Sequence, residues 1–195
     1  MSKGEDTRQF IIEKAASLLN QKGIAGTAIS DIMEATSLAK GGIYRRFESK
    51  EEIACEAFSY LFRRLHDRIT TEIRDRSSAR DKLYAIFDLY HDHLVLARNG
   101  GCPLLNFGTE VDDTDPVIRE QVARGIKAIQ HCFSQIVSDG IRQEEFNSSV
   151  NADAFGVKMF NLLEGSILAC RVMNSKQQMK QVTDMLKKEI DGFSK

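Results

Sequence analysis

The chain has 195 residues, 42% of them hydrophobic and 28% charged, with 27 Lys+Arg against 28 Asp+Glu and a formal net charge of −1. Such a chain is long enough to bury a core without disulfide or metal staples and too apolar to be disordered, while its balanced charge offers no global excess of cations to meet phosphate. Its apolar runs fall far short of the ~20 residues that span a bilayer. The start Met1-Ser2-Lys3-Gly4-Glu5-Asp6 is not patterned as a signal peptide, and four scattered cysteines form no Cys-x-x-Cys pair, so a cytoplasmic location with reduced thiols and no membrane partner is expected.

Only Pro103 and Pro116 interrupt the chain, and apolar residues recur at helical spacing almost throughout, which predicts an all-α fold of about nine helices. The first is read over residues 7–22, capped by Asp6 or Thr7 and stopped by Gly23. Two short helices follow, one opened by Thr27 and carrying Ile29 and Ile32, the other over residues 39–47. Ser49-Lys50-Glu51-Glu52 has the spacing of a capping box, and behind it an apolar stripe runs for about six turns, from Ala54 to Ile73. Ser78 opens a fifth helix that carries Leu83, Phe87, Tyr90 and Leu94 and ends at Asn99-Gly100-Gly101. Residues 103–111 hold one or two helical turns. Asp115-Pro116 is an N-cap followed by proline at the first helical position, a strong start for a helix that stops near Gly140. Two further helices, over 151–173 and 175–193, close the chain, the second opened by a Ser175-x-x-Gln178 box. Helices are short before Ser49 and long after it, which divides the chain into a head, residues 1–50, and a body, residues 51–195.

The chemistry concentrates in the head. Between Ser37 and Lys50 four cations, Lys40, Arg45, Arg46 and Lys50, face one acid, Glu48. The segment Lys40-Gly41-Gly42-Ile43-Tyr44-Arg45-Arg46 is too polar and too rich in glycine for a core helix. It suits the second helix of a helix-turn-helix: the glycine pair lets backbone approach a phosphate or base edge, and Tyr44 can donate its hydroxyl. Thr27, Ser37 and Lys50 stand at or near helix starts, where free amides favour anions. A charge run on a helical protein is also commonly a solvated face; the conjunction of short helix, turn, glycine pair and tyrosine argues for DNA. The charge is segregated as well. Residues 1–50 hold 8 Lys+Arg and 6 Asp+Glu, the remainder 19 and 22, so the positive excess lies where phosphate would be met.

Residues 8–58 resemble the DNA-binding head of the TetR (tetracycline repressor-like) family of transcriptional regulators. Ile12, Ala15, Ala16, Leu18, Gly23, Thr27, Ile29, Asp31-Ile32, Lys40-Gly41-Gly42-Ile43-Tyr44, Phe47, Ser49-Lys50-Glu51-Glu52 and Ile53 carry the resemblance. Met33, Ser37 and Arg46 depart from it, standing where the family usually has alanine, glycine and often histidine. The resemblance implies a homodimeric repressor on double-stranded operator DNA, released by a small-molecule inducer; with no catalytic motif in the sequence, neither enzymatic activity nor a cofactor is expected. It implies that Thr27, Tyr44, Arg46 and Lys50 grip phosphates, while Lys40, Gly41, Gly42 and Arg45 lie on the helix in the major groove. The long helix from Ser49, which joins head to body, is the expected lever between inducer and DNA.

In the body, the penultimate helix is apolar around most of its girth and the last carries a regular stripe. Phe155, Met159, Leu162, Leu163, Met179, Val182, Leu186 and Ile190 are therefore expected at the dimer contact, the alternative being that they close the monomer's own core. The inducer is expected among Leu61, Phe62, Phe87, Tyr90, Phe107 and Phe133. Cys102, in Gly101-Cys102-Pro103 with Glu110 downstream, resembles the branch of the family that senses electrophiles through a cysteine at this position. Other members with the same pair bind lipophilic or flavonoid-like ligands without cysteine chemistry, and a small buried residue at a loop–helix junction fits equally. His91 and His93, two residues apart on a helix, cannot share a metal, and no metal site is expected. Walker, Gly-x-Ser-x-Gly, dinucleotide and His-Glu-x-x-His patterns are absent from the sequence. Two other classes remain: a helical carrier or enzyme with an incidental helix-turn-helix, and a dimerisation scaffold without ligand.

Overall fold

The computed structural model describes the backbone of residues 3–94 and 100–193 and the side chains of residues 4–92 and 100–193. Met1, Ser2, Asn99 and the side chains of His93 and Leu94, named above, lie outside the described residues. The regular elements are helices: α1 Lys3–Lys22, α2 Ile29–Thr36, α3 Lys40–Tyr44, α4 Lys50–Arg74, α5 Ala79–Leu89 with a π-helical turn at Tyr90–Leu94, α6 Pro103–Val111, α7 Pro116–Arg142, α8 Ala152–Val172 and α9 Gln177–Phe193. The all-α architecture with an N-terminal helix-turn-helix therefore stands.

The caps show why these residues start helices. Asp115 Oδ1 accepts from the amides of Val117 and Ile118, both at 2.9 Å, ahead of Pro116 in α7. Ser78 Oγ accepts from the Asp81 amide at 2.9 Å, and Asn151 Oδ1 from the Ala154 amide at 3.0 Å. Ser49 Oγ accepts from the Glu52 amide at 3.1 Å, while the Glu52 carboxylate reaches the Glu48 amide at 2.6 Å, one residue before the reciprocal position of a capping box. α9 opens at Gln177, where Ser175 Oγ accepts from the Gln177 amide at 3.3 Å rather than from Gln178 as the expected box requires; three boundaries in the head also differ from the sequence expectation. α1 begins at Lys3, not at a cap on Asp6 or Thr7, which places Glu5 and Asp6 in the first turn, where the helix dipole favours acids. α2 is capped from inside, by Asp31 Oδ2 accepting from the Ala28 amide at 2.8 Å, because the Thr27 hydroxyl is turned inward. α3 is five residues long, shorter than residues 39–47.

The described residues divide into two compact units, one drawn from residues 1–64 and 98–123, the other from 65–97 and 124–195. In the first unit, α1 buries Ile11, Ala15 and Leu19, α2 buries Ile32, α3 buries Ile43 and α4 buries Ile53, Ala57 and Phe58. α6 belongs to this unit: Leu104, Phe107 and Val111 are buried, and the Phe107 ring lies 5.4 Å from Phe58. In the second unit, the Phe193 ring stands edge-on to Phe146 at 5.2 Å and to Phe155 at 5.3 Å, tying α8 and α9 together with the segment after α7. α8 meets α7 at Gly156, where a Cβ would strike Ser134 Oγ and the Gln130 carbonyl, so glycine is dictated by close packing.

Candidate nucleic-acid interface

The turn between α2 and α3 is built on Ser37, which adopts a left-handed conformation (φ 57°, ψ 27°) and donates its amide to the Glu34 carbonyl at 3.4 Å. A residue with a Cβ takes this conformation at a cost of about 1–2 kcal/mol, so the sequence accepts strain where glycine would relieve it. α3 then buries only Ile43. Lys40, Gly41, Tyr44, Arg45 and Arg46 are all exposed, as is Ser37. The Lys40 ammonium hovers 5.8 Å from the centre of the Tyr44 ring, and Arg45 Nε donates to the Gly41 carbonyl at 3.1 Å. A Cβ on Gly41 would meet nothing within 4 Å, and one on Gly42 only the Leu38 side chain at 3.6 Å. Internal packing therefore does not demand glycine at position 41.

Two of the expected phosphate grips are placed otherwise. Thr27 is fully buried, and its hydroxyl donates to the Gly23 carbonyl at 2.6 Å, so it braces the connection between α1 and α2. Lys50 is half-buried and its Nζ donates to the carbonyls of Ile24 (2.8 Å) and Thr27 (3.2 Å), leaving one of three ammonium protons to point elsewhere. The spacing of these residues in sequence carried no sign of this, because the acceptors lie on a loop 23–26 residues away.

Arg8, to which the sequence pattern assigns no role, fixes the turn that follows α3. Its guanidinium donates to the Arg46 carbonyl and pairs with Glu52 and Glu56 of α4, and it stacks over the Phe47 ring at 4.2 Å. The hydrogen bond to Glu56 is the chief cause that raises its pKa. The Arg8 hydrogen bond, followed by the Glu48 amide, holds the Glu52 carboxyl below its ordinary range. Asp31 is likewise lowered, first by the Ala28 amide and then by Lys22, whose Nζ lies at 3.1 Å.

The residues expected to hold an inducer fall in both units. In the first, Phe62 stacks on Phe58 at 6.2 Å, Phe107 meets Phe58, and Leu61 is half-buried. In the second, Phe87, Tyr90 and Phe133 are fully buried, with Tyr90 edge-on to Phe133 at 6.5 Å. Cys102 caps α6 through its backbone and is fully buried. Cys55 is half-buried and accepts from Gln121 Nε2 at 2.8 Å, and burial pushes the Cys132 thiol up. A surface cavity of about 320 Å³ lies at the start of α8, floored by Ala154, Phe155 and Phe193 and rimmed by the Lys158–Glu189 pair; it involves none of the expected inducer residues.

Most of the residues expected at the dimer contact are packed inside the single chain. Phe155, Met159, Leu163, Met179, Leu186 and Ile190 are buried within the single chain, and Leu162 and Val182 are half-buried. The six buried ones belong to the second unit's own core. The apolar side chains that face solvent are others: Val157, Leu168 (52% exposed), Val172 (78%), Met173 and Met185 (64%). Val157, Gly165, Leu168 and Val172 share one face of α8, and a Cβ on Gly165 would meet nothing within 4 Å.

Residues 11–57 match the model described as "Bacterial regulatory proteins, tetR family", and residues 79–186 match "Tetracyclin repressor-like, C-terminal domain". A solved TetR-family transcriptional regulator from Cytophaga hutchinsonii is 33% identical, with a TM-score of 0.94 covering 100% of this chain and 98% of its own. A TetR transcriptional regulator from Chloroflexus aurantiacus is 35% identical, with a TM-score of 0.92 and the same coverage. The HTH-type transcriptional repressor DhaR of Mycobacterium sp. is 23% identical over 175 residues, 89% of this chain and 87% of the repressor.

Proposed function

The chain belongs to the tetR family of bacterial regulatory proteins and is a ligand-responsive, helix-turn-helix transcriptional regulator, and from that premise we propose that it is a cytoplasmic homodimeric repressor that grips operator DNA through the exposed residues of α3. Dimerisation and release by an inducer are general features of this family. The observation that carries the reading is the surface of α3 and the turn after it: Lys40, Tyr44, Arg45 and Arg46 stand exposed, and Gly41 has open space in front of it. Arg46 and Tyr44 hold phosphates, and Lys40, Arg45 and the Gly41-Gly42 backbone approach base edges. Residues 1–50 serve as the DNA-binding domain and residues 51–195 as the ligand-binding and dimerisation domain. Among the described residues no helix is long and apolar enough to cross a membrane.

The dimer contact is the solvent-facing apolar row of α8, Val157, Leu168 and Val172, together with Met185 of α9. Gly165 supports this choice, since its missing side chain serves no internal neighbour and would let a facing helix come close. The inducer is a small lipophilic or electrophilic molecule. Full burial of Cys102 favours the cysteine-independent form of that reading, in which a lipophilic or aromatic ligand acts without thiol chemistry. The test is selection of duplexes from a random-sequence pool by the wild-type protein. Recovery of a two-fold repeat with half-sites one helical turn apart, roughly 34–36 Å, supports the proposal; recovery of no enriched duplex overturns it and favours a carrier or scaffold. A Cys102→Ser variant released from that duplex by the same compounds as wild type establishes the cysteine-independent form.

A further inference from the structure

The connection between α1 and α2 is held by a carboxylate from α6. Glu110 Oε2 accepts from the Ile24 amide and Oε1 from the Ala25 amide, both at 2.6 Å. On the other side of the same residue, Lys50 Nζ donates to the Ile24 carbonyl at 2.8 Å. Ile24 is therefore clamped between an anion on its N–H and a cation on its C=O, from α6 and α4. The loop is shaped to admit the carboxylate. Gly23 takes φ +80°, and a Cβ there would lie 2.8 Å from Glu110 Oε2. One turn earlier on α6, Asn106 Nδ2 donates to the Asn20 carbonyl at 2.9 Å and to the Gly100 carbonyl at 2.7 Å, and Asn20 Nδ2 donates to the Gly101 carbonyl at 3.2 Å. The end of α1 is thus gripped at two points four residues apart on α6.

Helix stability does not account for Glu110. A second carboxylate in the molecule makes the same two-amide contact: Glu145 accepts from Ala79 at 2.7 Å and Arg80 at 2.8 Å. Those amides open α5, where the helix dipole attracts an anion. Ile24 and Ala25 lie just past the C-terminus of α1 and four or more residues before α2, where the α1 dipole repels one. The carboxylate is kept there against that dipole by direct hydrogen bonds. What those bonds fix is the path of the chain into Thr27, Ala28 and α2, the helix on which α3 rests.

We propose that Glu110 is a positioning residue for DNA binding, holding the α1–α2 connection in the conformation that presents α3 to the operator. This rests on the DNA-binding reading above. The two charged partners act on opposite sides of one residue, so neither replaces the other: glutamine at 110 keeps the size but turns one amide acceptor into a donor facing an N–H.

The test uses the full chain, a duplex selected by the wild type, and amide hydrogen exchange. If the clamp favours the DNA-bound conformation, DNA must in turn tighten the clamp, because coupling is reciprocal. The proposal expects duplex to slow exchange of the Ile24 and Ala25 amides by about tenfold or more in wild type, and Glu110→Gln to weaken duplex affinity by about tenfold with an unchanged salt dependence. Wild-type amides that exchange at the same rate with and without duplex would overturn it, and this arm needs no variant to fold. So would a Glu110→Gln protein that binds the duplex like wild type. A wild type that binds no duplex at all instead defeats the DNA-binding reading on which the proposal stands.

Discussion

The first unit is held at its functional edge by directional polar bonds, whereas an apolar aromatic cluster ties the last helices of the second. In the first, Arg8, Lys50, Asn106 and Glu110 each reach a backbone group on a loop or turn. In the second, Phe146, Phe155 and Phe193 meet edge to face, and its ion pairs, such as Arg80–Asp191 and Lys187–Asp88, lie on half-exposed surface where such pairs contribute little. The difference follows from what each must do. Burial is non-directional and gives stability; hydrogen bonds to chosen carbonyls and amides fix the path of a loop, and through it the aim of a five-residue helix.

Substitutions should separate the two modes. Phe155→Ala removes a ring from the second unit's aromatic cluster and should cost about 3–5 kcal/mol, read from the urea midpoint. Arg8→Ala should cost about 1–2 kcal/mol, since its carboxylate partners are a third exposed, yet disturb duplex binding more than Phe155→Ala does at a temperature where both variants stay folded. Equal effects of the two on binding would erase the distinction. Next in size, Leu168→Glu with Met185→Glu should raise the dimer dissociation constant at least tenfold for each charge, about 1.4 kcal/mol apiece, while leaving the monomer's unfolding unchanged; sedimentation at falling concentration measures it. A dimer indifferent to both changes, and broken by Val117→Glu instead, would move the interface away from α8 and α9.

Helix type and order were legible because the chain has two prolines and strong periodic stripes, and because Ser49, Ser78 and Asp115 cap through local contacts. The α3 surface was legible because its glycines and cations are contiguous. What could not be read was which side of an apolar helix faces inward. α8 carries apolar residues on most of its faces, so Phe155 and Val157 look equivalent in sequence, yet one is core and the other is exposed. Its two glycines look alike in sequence, and only the fold distinguishes the crowded Gly156 from the open Gly165. The placements of Thr27, Lys50 and Glu110 were hidden for another reason: each depends on the loop between α1 and α2, and the partner is distant by 26 residues for Lys50 and 86 for Glu110.

The smallest effect is a pH dependence carried by two carboxylates of the first unit. Glu52 and Asp31 both titrate below their ordinary values in the folded chain, so the stability they contribute is present above the unfolded carboxylate range, about 4, and is lost as pH falls through their folded values. Unfolding followed between pH 6 and 3 should show the first unit weakening toward acid, and Glu52→Gln should flatten that slope. A Glu52→Gln profile parallel to wild type would remove Glu52 as its source.

The central claim is that the exposed Arg46, just past α3, rather than the inward-turned Lys50, supplies the cation that meets phosphate. Binding to the selected duplex, measured across a salt series, tests it most directly. The log–log slope should fall by about 0.9 for each phosphate left without its cation, hence about 1.8 per dimer for Arg46→Ala. Lys50→Ala should weaken binding with the slope unchanged. A slope that drops as far for Lys50→Ala as for Arg46→Ala, or that stays fixed for Arg46→Ala, would contradict the account.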